Sequence, residues 1–330
     1  MRLLDLIAQH QQPFLVQQDD GEVVRLAGAA DFAAAIRACP LRYVLADPLV
    51  RDCTALAYSD GVQLAECLDL VHLPAQQWWV EWNDAARVAE YRRAMAIAPT
   101  AGPSTAIARA GVLISAAAGG RRGTMRSFWC GGDAPDEPLL APLEVHFDLD
   151  AVAAGSGTLD SLLQGACVAV PIAAEPGVSA VLQRASYRFD PSWLAYYRRN
   201  AAGSSERHQL LQESLGTVAA DFPLVIALLL MMTVRGGLPQ RQENLAQLNA
   251  KRMRLGRAPL LEHIEVSAPL MPQRCAAQFA FTDSARRAPR LHHVRGHLVR
   301  RANALFWRTP HWRGHMRLGQ VRSRTVVLHS

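Results

Sequence analysis

The sequence predicts an α+β chain with a mixed α/β body, a helical middle and a basic, β-rich C-terminal module. Three observations carry that expectation. The first is size and composition: 330 residues, 50% apolar and 19% charged, can bury one large core or two smaller ones and exclude a disordered, collagen-like or coiled-coil chain. The second is a change of period along the chain. Short alternating runs dominate before residue 150, a long apolar helical pattern follows near 206–234, and a Pro-broken β pattern closes the sequence. The third is charge asymmetry. Ser284 to Ser330 holds 11 arginines, no acid and 6 of the 11 histidines, whereas the first 283 residues carry 24 basic and 29 acidic groups. A mildly acidic body with a strongly basic end points to an anionic partner. Lys251 is the single lysine among 35 basic residues, which looks like GC-rich coding bias. That bias weakens arginine content as a signal, but it does not explain the missing acids.

In chain order, residues 1 to about 45 read as helix, short strands and helix, with strong helix formers from Asp31 to Arg37 behind a possible Asp cap. Trp78-Trp79-Val80-Glu81-Trp82 reads as a buried strand, and Asp84 to about Ile97 as a helix. Gly111–Ala118 and Thr124–Cys130 read as strands joined by a Gly-Gly-Arg-Arg-Gly turn. Leu143–Asp148 alternates like a half-buried strand. A helix starts at Pro191, Ala201–Ser205 is a break, and Glu206 to about Val234 is a helix stopped by Gly236-Gly237-Leu238-Pro239. A further helix is expected from about Gln242 to Arg254, then strands at Leu261–Val266 and Gln278–Thr282. The expected units are therefore 1–200, a mixed body suited to protein or peptide recognition; 201–260, helical; and 261–330, a basic nucleic-acid-binding module.

The N-terminus carries Asp5 and lacks a small-residue cleavage site, so it does not read as a signal peptide. Phe222–Val234 is too short to span a bilayer, which takes roughly 20 apolar residues, and reads as a buried core helix. The expectation is a cytoplasmic protein without a membrane partner. Its six cysteines are scattered singly and read as reduced, mostly buried thiols.

The densest chemical signal is the pentapeptide H-x-R-G-H, present at His293–His297 and again at His311–His315. In a strand, alternate residues share a face, so each copy would present His, Arg, His on one side, and pairing the copies would gather four imidazoles and two guanidiniums. Phosphate binding fits this set: Arg295, Arg300, Arg301, Arg308 and Arg313 supply guanidinium forks, and Trp307, Trp312 and Phe306 supply stacking faces. Metal-free RNA cleavage also fits, with His292, His297 and Arg295 as the candidate acid, base and phosphorane-stabilising cation. Zinc binding is the weakest fit, because glycine and β-branched neighbours argue strand rather than helix. Neither a metal nor a cofactor is expected. The plain alternative is a solvated edge hairpin whose arginines prevent aggregation.

Other candidates have plainer readings. The Trp78–Trp82 strand is core before it is a recognition surface. Glu144, His146 and Asp148 alternate on one strand face and read as a solvated face before an acid/base or metal set. Gly119–Gly123 lacks the Gly-Lys-Ser/Thr ending of a phosphate loop and reads as a hairpin turn. Gln242–Arg254 is amphipathic, with a basic end at Lys251, Arg252 and Arg254.

The run Pro289-Arg290-Leu291-His292-His293-Val294-Arg295-Gly296-His297, followed by Phe306-Trp307 and Pro310, resembles the C-terminal signature of a family of phage and mobile-element proteins. That signature reads approximately R-P-H-x-x-R-G-H-W, then W-x-P. The family includes the large type V-A anti-CRISPR inhibitor that lowers production of the CRISPR nuclease. His292, Arg295, Gly296, His297, Trp307 and Pro310 sit on the pattern, while Leu298 stands where the family prefers Trp. Leu73-Pro74 with Trp79-Val80-Glu81, and Phe222-Pro223-Leu224, resemble the family more faintly. The resemblance implies a phage regulatory effector that reduces expression of a host target at the level of translated mRNA, with RNA, a translating ribosome or a nascent peptide as partner. It carries over no catalytic residue. The alternatives are a ribonuclease using the C-terminal histidines and a non-catalytic accessory or virion protein.

Overall fold

A computed structural model describes residues 1–10, 12–17, 23–26, 28–59, 61–97, 107–131, 134–153, 157–172, 176–200, 204–268, 290–294, 296–301, 304–308, 311–313 and 315–320. The body opens with α1 (Leu3–Gln9), the hairpin of β1 (Phe14–Gln17) and β2 (Val23–Leu26), and α2 (Ala29–Ala38). β3 (Leu41–Leu45) runs into α3 (Asp47–Ser59), with α4 (Gly61–Glu66) after it, and β4 (Gln77–Asn83) runs into α5 (Asp84–Ala94). Three long strands follow: β5 (Ile107–Ala116), β6 (Arg122–Gly131) and β7 (Ala134–Asp148). Next come α6 (Leu159–Leu163), α7 (Pro176–Leu182), β8 (Ala185–Phe189), α8 (Pro191–Asn200) and the 30-residue α9 (Ser204–Thr233). β9 (Gln240–Gln242), α10 (Ala246–Arg254) and β10 (Ile264–Val266) complete the body.

Eight strands form one mixed sheet in the order β8-β7-β6-β5-β4-β3-β10-β9, with β3 parallel to β4 and β10 and the other neighbours antiparallel. The architecture is α+β. Strand alternation sorts the two faces. Trp79, Glu81 and Phe128 face α1, α2 and the β1–β2 hairpin, where Phe128 packs on Phe14, Phe32 and Trp79. Ser127 and Phe147 face the other way, onto Asp221 and Phe222 of α9. Trp78, Trp79 and Trp82 are wholly buried, so the aromatic strand is core. The Trp79 ring lies so close over Gly111 that a Cβ there would sit 2.4 Å from it.

The Glu81 carboxylate, on a central strand and wholly buried, is held by five donors. The backbone N–H groups of Leu3 and Leu4 donate to it at 3.3 and 2.8 Å, so it caps α1 from outside the helix. The Trp79 indole donates at 3.3 Å, and Arg109 donates through Nε at 3.0 Å and Nη2 at 2.6 Å. On the opposite face, Asp84 accepts from Arg87 at 2.6 and 3.2 Å and from the Trp82 indole at 3.2 Å. Behind that pair, the Ser127 hydroxyl donates to Asp221 Oδ2 at 2.7 Å, while Oδ1 has no hydrogen-bond partner among the described residues. Burial, aided by the Asp84 charge, pushes the Asp221 carboxyl up to about 7 against the opposing pull of Arg87 and Ser127.

Several expectations shift. α2 begins at Ala29 with Gly28 (φ 91°) at its cap position, so Asp31 lies in the first turn rather than capping it. The helix expected from Gln242 begins at Ala246, because Gln240–Gln242 pairs instead with β10. The strand expected over Leu261–Val266 narrows to Ile264–Val266 and pairs with β3, so the stretch from residue 261 onward starts inside the body's sheet. α9 likewise packs on α3 and β7 as the body's back layer. Its 211–233 stretch is long and apolar enough to cross a bilayer by composition, with a mean hydropathy of 2.1, but 78% of that window is buried within the fold. Of the expected break at Ala201–Ser205, residues 201–203 lie outside the described residues, while Ser204 and Ser205 instead begin α9; the strand expected at 278–282 also lies outside them. Cys39, Cys53, Cys67 and Cys130 are buried free thiols, and Cys167 is exposed.

Two outcomes are expected from these clusters. Replacing Glu81 with alanine strands Arg109 and two helix N–H groups, and should lower unfolding free energy by about 3 kcal/mol in urea titrations. Asp221 is raised in the folded state, so between about pH 4 and pH 7 the native chain holds a proton that the unfolded chain has lost. Stability should therefore fall as pH rises through that window, by about 1.4 kcal/mol per pH unit, relative to an Asp221→Asn variant measured in parallel.

Candidate nucleic-acid interface

The basic end forms two small sheets. β11 (Arg290–Val294) lies between β14 (His311–Arg313) and β15 (His315–Gln320), while β12 (His297–Arg301) and β13 (Ala304–Arg308) form a hairpin. In the hairpin His297 pairs with Arg308, Leu298 with Trp307, Val299 with Phe306, Arg300 with Leu305 and Arg301 with Ala304. Directly opposed residues share a face, so the hairpin is two-sided.

One side docks on the body. Leu298 is 1% exposed and Leu305 3%, and Trp307 packs against the same core. The Arg235 N–H, just past α9, donates to the Leu305 carbonyl at 2.9 Å. Arg300 is on this side too. It donates to Asp69 Oδ1 and Oδ2 at 3.0 and 2.8 Å and to the Glu66 carbonyl at 3.3 Å, and the Asp69 hydrogen bond holds its guanidinium above the ordinary range. Arg300 and Trp307 thus depart from the expected phosphate-contact and stacking roles. Both lie on the docked side of the hairpin, Arg300 two residues along β12 from Leu298 and Trp307 directly opposite Leu298, with the Arg300 side chain still 42% exposed.

The other side carries His297, Val299, Arg301, Ala304, Phe306 and Arg308. Arg301 and Arg308 are exposed, and His297, Val299 and Phe306 are half-buried. Two guanidiniums and an imidazole around an aromatic ring can take phosphate oxygens at the edges and a base on the ring face. Arg313 is also exposed, in β14, and pairs in register with His292 of β11; Trp312 pairs with His293. Arg295 lies outside the described residues.

The repeated pentapeptide does not form two continuous strands. Its first copy divides between β11 and β12 around Gly296, and its second between β14 and β15. Among the described residues, the copies pair where Val294 opposes His311 and His293 opposes Trp312. His292 and His297, expected to act together, are in different sheets. No group of three or more His, Cys, Asp or Glu side chains among the described residues could hold a metal ion.

The Glu144–His146–Asp148 set resolves differently. Glu144 is 6% exposed and accepts from His146 at 3.0 Å and Arg188 at 2.8 Å, with Arg126 at 3.3 Å. Burial opposes the ionised form, but these hydrogen bonds and the Arg126 charge hold Glu144 down at about 2. Asp148 is outside this cluster and lies 3.7 Å from Arg122. The anchoring Asp69 carboxylate and Glu66 carbonyl were missed from sequence, since nothing local ties them to residue 300; that Arg300 shares a face with Leu298 was available from strand period alone.

No protein-family model matches the chain, and no curated protein or solved structure is detectably similar to it.

Replacing Asp69 with alanine should loosen the hairpin's docking. Hydrogen exchange at amides 298–307 should accelerate while amides of β4 to β7 remain unchanged.

Proposed function

We propose that this chain is a regulatory effector that contacts RNA, free or on a translating ribosome, through its C-terminal basic module and so lowers expression of a host target. The observation that carries the reading is the outward hairpin face, where Arg301, Arg308 and His297 surround Phe306 while Leu298 and Leu305 fix the hairpin to the body. Docking makes the cations a preoriented surface rather than a loose tail, which reduces the ordering cost of binding. The stretch from Ser284 to Ser330 adds no acid of its own to that surface. The regulatory part, as an anti-CRISPR-like phage protein acting on mRNA in the host cytoplasm, is supported by the likeness of residues 289–310 to the phage-family signature. Placement of His292 and His297 in separate sheets favours binding over ribonuclease chemistry.

The test is fluorescence anisotropy with labelled single-stranded RNA across a salt series. Affinity should fall steeply with salt. A His297→Ala/Arg301→Ala/Arg308→Ala variant should bind less tightly and lose about 0.7 from the log–log salt slope per phosphate contact removed, with unchanged melting. In cells, RNA sequencing should show selective loss of one or a few transcripts with the intact chain and none with the variant. RNA binding that is equally tight in the variant would overturn the assignment.

A further inference from the structure

On the α9 side of the sheet, the body carries a half-open cleft of about 540 Å³ between α3, α5, α7 and α9. That size is typical of small-molecule sites. Its walls are mostly apolar, including Val88, Ile97, Ile172, Val178 and Leu182. Tyr58, Arg87, Tyr91, Arg92, Glu213 and Thr217 are its polar lining residues, and the first two have spare donors. The Tyr58 hydroxyl has no hydrogen-bond partner among the described residues, and its ring stands edge-on to Tyr91 at 4.8 Å. Arg87 is 8% exposed and gives Nε and Nη2 to Asp84, leaving Nη1 without a hydrogen bond among the described residues. Arg87 is buried and Tyr58 half-buried, and each leaves a donor that an acceptor in the cleft can take.

The helix wall gives independent support. Gly216, Thr217 and Ala220 of α9 line the cavity, and a Cβ built on Gly216 meets nothing within 4 Å. Glycine inside a helix is less stable than alanine, and here no contact of the fold requires it. Gly216 is solvent-exposed and leaves the mouth of the cleft open. Charge then narrows the occupant: Asp84 already neutralises Arg87, and the other charged groups in the lining are one of each sign, Arg92 and Glu213. A carboxylate would find no unbalanced cation.

We propose that this cavity binds a small apolar molecule, aromatic or branched, bearing one neutral carbonyl-type acceptor that receives hydrogen bonds from Tyr58 and Arg87. The full chain is probed with acetanilide as the neutral aromatic amide, propylbenzene as a hydrocarbon of similar size and phenylacetate as the anion, using ligand-observed NMR and thermal melting. Acetanilide should bind most tightly and raise Tm. Tyr58→Phe should weaken it about three- to tenfold, the loss of one hydrogen bond. Gly216→Leu, which places a bulky side chain at the mouth of the cleft without a clash, should weaken binding at least tenfold while the unliganded chain melts at the same temperature or higher. Failure of acetanilide to bind, or undiminished binding to Gly216→Leu, would overturn the site. Equal binding of propylbenzene would remove the acceptor, and tighter binding of phenylacetate would overturn the neutral assignment.

Discussion

A buried carboxylate in the middle of a sheet loses its hydration, and Glu81 regains it from three separate parts of the chain. Main-chain N–H groups at the start of α1, the indole beside it on β4 and the guanidinium of Arg109 on β5 all converge on its two oxygens. The helix end contributes its positive pole as well as its donors. Because the charge is tolerable only with all of them in place, the interaction dictates where α1 lies. α1 then fixes more: Asp5 accepts the Leu261 N–H at 2.8 Å, and Arg2 reaches Glu265 at 3.0 Å. The first helix is thereby joined to the last strand of the sheet, and the body closes around contacts far apart in sequence.

α9 organises the opposite face. Phe222 packs on Phe147, Asp221 meets Ser127, and the Arg235 N–H, two residues past the helix, holds the hairpin through the Leu305 carbonyl. Further toward its N-terminus, the face bearing Gly216 and Ala220 lines the cavity. One helix therefore serves the core, the cavity wall and the mooring of the basic module. The buried carboxyl of Asp221 sits where these roles meet, with a protonation equilibrium displaced by burial.

The basic end shows how far a charge count can go. Its arginines are not equivalent, because the pleat of the hairpin divides them. Arg300 is bound to Asp69 on the docked side, whereas Arg301 and Arg308 point to solvent. Leu298 is nearly inaccessible and serves as mooring. Apolar docking on one side and cations on the other give a rigid, two-sided element from a sequence that looks uniformly basic.

By itself the sequence determined the elements whose physics is local. The aromatic strand at Trp78–Trp82, the strands on either side of the Gly-Gly-Arg-Arg-Gly turn and the long apolar helix all follow from period, turn chemistry and side-chain type. So did the α+β class and the acid-free basic end. Tertiary structure alone decided what depends on partners remote in sequence. Gln240–Gln242 is a strand because β10 is beside it, and the H-x-R-G-H copies are split because each belongs to two sheets. Glu81 is a helix cap for residues 78 positions away, and Arg300 finds its acid 231 positions away. Tyr58 and Arg87 share a cavity only because α3 and α5 pack together. Such pairings follow from which buried charges and donors can be satisfied at once, a condition on the whole fold rather than on any segment.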